Sequence, residues 1–200
     1  MRPRSIKRVC VYCGSGHGTN PAYTQAAVTI GRDLAKAGMG LVYGGGSLGL
    51  MGEVAQAALD AGGEVIGIIP KFLTQHEKML RGADDVIVTE NMHERKMLMY
   101  EKSDAFIALP GGIGTLEELV EQLTWSQLGR HGKPVIVVNT NAFWQPFLAL
   151  LDHMRAQQFI RKDLDVGVMV VDEASEVIAK LQRLHQKWSK EADALVTSKF

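Results

Sequence analysis

The stretch LPGGIGTLEEL, Leu109 to Leu119, joins a predicted strand to a predicted helix through a glycine-rich loop. Thr115 and Glu118 fit the S/T-x-x-E capping box, in which a hydroxyl and a carboxylate satisfy free amides at a helix start. Each glycine costs backbone entropy, so a loop rich in them indicates positive φ or close approach to another group. The stretch is therefore either a helix entry or a loop that cradles an anion, with the glutamate acting on what the anion carries.

Short β-rich runs alternate with helical patterns along the rest of the chain, as is typical of βαβ units with a parallel sheet. Strands are predicted at Ile6–Cys13, Gly40–Tyr43, Glu64–Ile69, Asp85–Thr89, Ala105–Leu109, Pro134–Val138 and Val168–Val171. Helices are predicted at Pro21–Ala37, Leu50–Ala61, Met92–Lys102, Thr115–Leu128, Ala142–Ala156 and Ser175–Lys187. We therefore expect an α/β, Rossmann-like three-layer α/β/α fold with a mainly parallel sheet of about seven strands.

Composition favours one domain and gives no sign of a charged partner. The chain has 200 residues, of which 46% are hydrophobic, and it has 22 basic and 22 acidic residues. A net charge of zero provides no global field to attract nucleic acid or an anionic membrane. The apolar run near the N-terminus is too short and too polar for a signal peptide, and no segment resembles a membrane helix. We expect a single catalytic domain at 1–188, a loose tail at 189–200 and a cytoplasmic location.

Cys10 and Cys13 form a C-x-x-C pair, a spacing that also occurs in redox and zinc sites. In a strand, residues three apart project to opposite faces, so a disulfide between them would require the strand to bend. The six histidines are scattered and complete no zinc ligand set. We therefore expect two structural cysteines and no metal site.

Three loops that follow predicted strands are rich in glycine: CGSGHG, YGGGSLGLMG and PGGIGT. Parallel sheets bind ligands at the carboxyl ends of their strands, so one fold can bring all three loops to one edge. Ser15 and Gly45, from the first two loops, are candidate substrate contacts.

The second of these loops also fits the dinucleotide fingerprint, because Gly44, Gly46 and Gly49 match G-x-G-x-x-G. The fingerprint expects an acidic residue at the end of the next strand, but that strand ends in Ile69 and Pro70. The chain also lacks the P-loop pattern G-x-x-x-x-G-K-[ST]. Backbone amides at helix N-termini remain, and these can hold a single phosphate without a metal.

The helix after PGGIGT has a clear apolar period. Its core stripe is predicted to be Leu116, Leu119, Val120 and Leu123. The opposite side, with Glu118, Gln122 and Trp125, then faces solvent, a cleft or another subunit.

The preceding helix places two cations and two methionines on one face, since Met92, Arg95, Lys96 and Met99 are spaced i, i+3, i+4, i+7. One interpretation is snorkelling, with apolar stems buried and charges in water. The other is that the cations meet a bound anion or a carboxylate such as Glu118, because buried charges need partners. Spacing alone leaves both open.

YGGGSLGLMG, HERK and above all PGGIGTLEE resemble the Lonely Guy family of cytokinin-activating phosphoribohydrolases. The likeness extends from about Ile6 to Leu181 and includes DAFIALPGGIGTLEEL and LTWSQLG. Members of this family hydrolyse the N-glycosidic bond of N6-substituted adenosine monophosphates, which releases the base and ribose 5-phosphate. The resemblance implies the same reaction here, with no cofactor, and nothing in the sequence identifies a pyridoxal phosphate site.

The family signature P-G-G-x-G-T-x-x-E is filled from Pro110 to Glu118. The resemblance places the catalytic pair on Arg95 and Glu118. It places the nucleotide contacts on Glu77, Lys96, Gly111, Gly112, Ile113, Gly114, Thr115 and Thr124. Glu118 would orient or deprotonate water, or stabilise positive charge on the ribose, as in glycosidases.

Two other functions remain open at this point: a nucleotide-binding carrier on the same fold and a general AMP nucleosidase in salvage. The resembled family also implies a homodimer. We expect its contact to combine the Glu118, Gln122 and Trp125 side of one helix with the Met92 and Met99 side of the other.

Overall fold

The computed structural model describes residues 5–74, 85–161 and 166–186. Within these ranges the chain forms one sheet of seven parallel strands in the order β4-β3-β2-β1-β5-β6-β7. The strands are β1 (Arg8–Tyr12), β2 (Gly40–Tyr43), β3 (Val65–Pro70), β4 (Asp85–Thr89), β5 (Ala105–Ala108), β6 (Val135–Val138) and β7 (Val168–Val171). All the predicted strands are confirmed, with ends that differ by about two residues at most. The predicted tail at 189–200 lies outside the described residues.

The helices follow the prediction less closely at their starts. They are α1 (Pro21–Lys36), α2 (Gly49–Asp60), α3 (Met92–Glu101), α4 (Ile113–Gln127), α5 (Gln145–Ala156) and α6, which is described at residues 177–186. The predicted start of α5 at Ala142 is wrong because Asn141 and Ala142 have φ of 53° and 55°, which a right-handed helix cannot use. No helix in the described ranges is long and apolar enough to cross a membrane.

Helices cover both faces of the sheet and give the expected three layers. Ile30, Val54 and Val177, from α1, α2 and α6, belong to the core on one face. Met99 and Leu119, from α3 and α4, belong to the core on the other face together with residues of α5. Central strands of a parallel sheet are buried on both sides, which explains their continuous apolar runs.

The two cysteines belong to different cores. Cys10 packs on the α3–α5 side and Cys13 on the α1–α2 side, so the expected opposite orientation is confirmed. Both thiols are free and buried. Burial, followed by the nearby Glu118 charge, raises the pKa of each thiol well above its usual value. Both therefore stay protonated and act as packing residues at neutral pH.

Helix α4 is rotated relative to the orientation predicted from its apolar period. Leu119 and Leu123 are buried as predicted, but Val120 is 41% exposed. Glu118 and Gln122, predicted on the outer side, lie on the buried face. Hydrophobic periodicity assumes that polar side chains face water, and it fails where a buried counter-charge is present.

The same rotation corrects the expected dimer surface. Glu118, Gln122 and Met99 are all buried within the protomer and offer no surface to a partner. Trp125 packs edge-on against Tyr100 of its own chain, with ring centroids 5.2 Å apart.

The strand order reverses between β1 and β5, and this position creates a crevice. The loops after these two strands lead to helices in different layers, so they separate at the carboxyl edge of the sheet. They remain linked at their bases, where the amide of Gly14 donates a 3.1 Å hydrogen bond to the carbonyl of Pro110. A ligand site is expected at this edge.

Candidate active site

A cleft of about 320 Å³ opens at the carboxyl edge of the sheet. The three glycine-rich loops all contribute to it, which confirms that the fold brings them together. Its lining is Cys13, Gly14, Ser15, Gly44, Met51, Leu73, Met92, Arg95, Gly112, Ile113, Gly114, Thr115, Glu117 and Glu118.

A buried ion pair forms one wall of this cleft. Nη1 of Arg95 donates a 2.6 Å hydrogen bond to Oε1 of Glu118, and the two side chains are 8% and 10% exposed. Nε of Arg95 donates to the carbonyl of Ile68 at the end of β3, at 3.0 Å. The guanidinium is thus fixed by a strand and holds a carboxylate of α4, so the interpretation in which Arg95 meets Glu118 is confirmed as a contact.

The environment of Glu118 makes its carboxyl easier to protonate than usual. Burial raises its pKa, while the charge and hydrogen bond of Arg95 act in the opposite direction and offset only part of the increase. A carboxyl with a raised pKa next to a fixed cation is a frequent arrangement for general acid–base chemistry and for charge stabilisation.

Lys96 is also paired, one position along α3. Its Nζ donates to Glu117 and, at 3.0 Å, to Glu121, both on α4. Burial opposes the charge on the lysine, but these two carboxylates outweigh burial and raise its pKa. Snorkelling into water therefore does not describe either cation of α3.

Helix α4 begins two residues earlier than predicted, and this excludes the capping box. Its N-cap is Gly112, and no side chain in the described part of the chain caps it. Thr115 is already the third helical residue, and Glu118 points inward to Arg95. Leu116 makes the first backbone bond of the helix, to Gly112 at 3.0 Å, which leaves the amides of Ile113, Gly114 and Thr115 without a partner inside the helix. These amides border the cleft and can hold an anion.

The other two glycine loops lead to helix starts whose amides are largely bonded within the protein. Asn20 caps α1 by accepting a 2.9 Å bond from the amide of Ala22. At α2 the amides of the second and third residues bond to carbonyls of the loop after β1: Leu50 to Gly16 at 3.4 Å and Met51 to Gly14 at 3.3 Å. Of the three helix starts, that of α4 has the most backbone amides without a partner in the described part of the chain, those of Ile113, Gly114 and Thr115.

The other predicted substrate contacts differ in their position relative to the cleft. Ser15 lines the cleft and is exposed. Gly45 is buried and has φ +83°, and a side chain there would meet Ile69 of β3. Thr124 lies on the exposed side of α4, where its hydroxyl donates 2.8 Å to the carbonyl of Val120. Glu77 lies outside the described residues.

Some lining residues were not proposed as substrate contacts from the sequence, notably Gly44, Met51 and Leu73. Leu73 follows β3 and Gly44 follows β2, so the rule that ligands bind beyond the carboxyl ends of strands is a signal that identifies both. Met51 lies in the first turn of α2, where no polar or glycine pattern marks it.

Fold and cleft together define the class: a Rossmann-like α/β protein with its ligand cleft at the topological switch of a parallel sheet. A family model described as "Possible lysine decarboxylase" matches residues 51–181. The chain is 46% identical over 181 residues to "Cytokinin riboside 5'-monophosphate phosphoribohydrolase LOG" of Oryza sativa subsp. japonica, covering 90% of this chain and 75% of that protein. It is 44% identical over 182 residues to the enzyme LOG3 of Arabidopsis thaliana, covering 91% and 85%. The chain therefore belongs to the Lonely Guy (LOG) family.

Solved structures with the same fold include carriers of a cofactor. The molybdenum cofactor binding protein of Rippkaea orientalis superposes with a TM-score of 0.69 at 27% identity, over 90% of this chain and 97% of that one. The Moco carrier protein of Chlamydomonas reinhardtii gives a TM-score of 0.69 at 25% identity, over 91% and 99%.

Proposed function

We propose that this protein hydrolyses the N-glycosidic bond of an N6-substituted adenosine 5′-monophosphate and releases the free base and ribose 5-phosphate. The observation that carries the proposal is a buried Glu118–Arg95 pair beside the uncapped start of α4 in one cleft. Relatives more than 40% identical are named as enzymes of this reaction.

In this proposal the phosphate is bound by the amides of residues 113–115 and the hydroxyl of Thr115. Glu118 lies three residues further along the helix, a rise of about 4.5 Å, which suits the distance from a 5′-phosphate to the sugar. Binding energy from the phosphate then fixes the reacting carbon against the carboxylate. Glu118 in its ionised form orients water or stabilises positive charge on the ribose as the base leaves. Arg95 holds that carboxylate in place.

An apolar group on the base is supported by the apolar part of the cleft lining. Met51, Leu73, Met92 and Ile113 line it, and Ile113 is 81% exposed. Such side chains gain from contact with an apolar N6 substituent, whereas an unsubstituted adenine would leave them in water. The alternative substrate is AMP itself, which a general AMP nucleosidase would hydrolyse in nucleotide salvage.

A carrier that binds a nucleotide without turnover is the second candidate, favoured by the two cofactor-binding proteins of the same fold. Glu118 argues against it. A carrier gains nothing from burying a carboxylate about one helical turn from a bound anion, where like charges repel.

The deciding experiment incubates the purified protein with AMP, N6-isopentenyl AMP and the two corresponding nucleosides. Chromatography should detect free base and ribose 5-phosphate, with N6-isopentenyl AMP consumed faster than AMP. Release of inorganic phosphate would reject the reaction class, and binding without any product would favour the carrier.

We also propose a homodimer, now through the outer face of α4. Ile113, Val120 and Leu128 are 81%, 41% and 75% exposed, and they share one side of the helix with Thr124.

The position of Thr124 also favours a dimer. Within one protomer Thr124 lies about 13.5 Å along the helix from Thr115, too far to join the same phosphate site. Antiparallel pairing of two α4 helices about Val120 would bring Thr124 of a second copy opposite Leu116. Two-fold pairing would make two equivalent sites.

Val120→Glu tests this contact, since an unpaired carboxylate in a buried interface is strongly unfavourable. Light scattering should show dissociation together with loss of activity. Leu150→Glu is the matched control, because Leu150 is 48% exposed and belongs to a different helix, α5. A fully active monomer of the unmodified protein would reject the dimer.

The cytoplasm remains our proposed location, supported by two cysteines that are both free thiols. Binding to nucleic acid is not proposed, given the net charge of zero.

A further inference from the structure

The Arg95 guanidinium is held on three sides. Nη1 bonds to Glu118, and Nε bonds to the carbonyl of Ile68. The third side is Gly44, directly after β2, where an added Cβ would lie less than 3.0 Å from Nη2, a separation that real Cβ atoms essentially never show. The glycine therefore leaves the space that the guanidinium occupies.

We propose that Gly44 is a positioning residue for the Arg95–Glu118 pair: its missing side chain sets the place of the guanidinium and, through it, of the Glu118 carboxylate. This inference rests on the proposed hydrolase function, in which Glu118 acts on the sugar. It gives the second glycine-rich loop a role in the chemistry that does not involve binding phosphate.

The backbone conformation at position 44 does not require a glycine. Gly45 and Gly49, in the same loop, have φ of +83° and +59°, which L side chains rarely adopt. Gly44 is not among the residues of positive φ, so alanine is compatible with its backbone. A methyl group there would meet Nη2 of Arg95 first and Sδ of Met51 next, at 3.1 Å. The methionine is flexible and can move, whereas the guanidinium is tied to β3 and α4.

Displacement of the guanidinium has a specific consequence for Glu118. Arg95 lowers the pKa of this carboxyl against the effect of burial. A guanidinium pushed out of place lowers it less, so the carboxyl protonates at a higher pH. Because the phosphate is held by amides of α4, substrate binding should change less than turnover.

The test compares Gly44→Ala in the unmodified protein and in an Arg95→Ala background, where the space is already empty. We expect kcat to fall at least tenfold in the first case, with KM changed less than threefold, and the same alanine to change kcat less than twofold in the second. Gly16→Ala is the matched control, since a Cβ there meets open space among the described residues. An equal loss in both backgrounds, or an unchanged kcat in the first, overturns the proposal.

A second measurement does not depend on turnover. NMR titration of the Glu118 carboxyl carbon, assigned with Glu118→Gln, should show a higher pKa in Gly44→Ala than in the unmodified protein, and no rise in Gly16→Ala. An unchanged pKa overturns the positioning role even if the protein hydrolyses no nucleotide. If the hydrolase proposal fails while this pKa rises, Gly44 still positions the pair. If Gly44→Ala folds only in the Arg95→Ala background, the clash with Arg95 is demonstrated directly.

Discussion

The loops Gly44–Gly49 and Pro110–Gly114 look alike in sequence, since each follows a buried strand and opens a helix through several glycines. The backbone amides at the starts of the two helices have different partners. Carbonyls of Gly16 and Gly14 accept from the amides of Leu50 and Met51 in the first turn of α2, whereas the first amides of α4 border the cleft. A glycine-rich strand-to-helix turn thus predicts exposed amides, but the neighbouring loop decides whether those amides bind a ligand or another part of the chain.

The largest expected effect is at Glu118, in the helix that follows the loop Pro110–Gly114. Glu118→Gln keeps the size of the side chain and removes its charge, so kcat should fall about 10²–10⁴-fold, the usual contribution of a positioned acid or base. Equilibrium dialysis should still show nucleotide binding, because the amides of α4 are unchanged. Glu121→Gln is the control, since Glu121 bonds to Lys96 instead. A Glu118→Gln protein that retains its rate per folded molecule would contradict the proposed role of Glu118 in the reaction.

The second prediction concerns stability, which should depend on Gly49 at the start of α2 more than on the glycines before α4. Gly49 has φ +59°, and a side chain there would overlap the backbone of Ser15 and Gly16. Gly49→Ala should lower the free energy of unfolding by about 2–4 kcal/mol, from backbone strain plus overpacking. Gly114→Ala, whose Cβ would meet open space among the described residues, should stay within about 1 kcal/mol. Urea unfolding measures both, and equal losses would remove the distinction between the loops.

A smaller effect is expected from the hydroxyl of Thr115. Thr115→Val keeps the shape and removes one hydrogen bond to the proposed phosphate, so KM for the monophosphate should rise about tenfold, near 1.4 kcal/mol. Stability should hardly change, because Thr115 is not the N-cap of α4. Ser47→Ala in the α2 loop should leave KM unaltered. Initial-rate kinetics at several substrate concentrations decide this, and a raised KM in Ser47→Ala would assign phosphate binding to both loops.

The smallest expected effect is a shift in pH dependence. Burial raises the pKa of Glu118, so its carboxylate becomes protonated at a higher pH than is usual for a glutamate. As the pH is lowered, kcat should therefore begin to fall before the usual glutamate range is reached. The same raised pKa means that the folded state binds this proton more tightly than the unfolded state does. The contribution of Glu118 to stability is therefore greatest below the usual glutamate range and decreases as pH rises through the raised pKa. A pH–rate profile checks the first statement, and an acid limb at the usual glutamate pKa would contradict it.

Much of this site was accessible from sequence because its parts lie at the ends of strongly patterned elements. The helix predicted at Met92–Lys102 and the strand before it place Arg95 and Lys96 in the first turns of a helix, and the glycines from 111 to 114 place Glu118 just beyond a strand. The start of α4 and its buried face were predicted wrongly. The first error arises from treating Thr115 and Glu118 as a capping box, and the second from an apolar period that places polar side chains in water. The partner that buries Glu118 lies 23 positions away in the chain.

The sequence by itself determined the α/β order, the strands, the edge of the sheet where ligands bind and the family of the protein. These properties follow from local periodicity and short motifs, which act over a few residues and do not depend on distant contacts. Only the tertiary structure decided that Gly14 and Gly16 close the start of α2, that Arg95 is anchored to Ile68 and that Glu118 lies inside. Each of these depends on groups from separate strands and helices that meet at one edge, where a buried charge or amide is stable only if the fold supplies its partner.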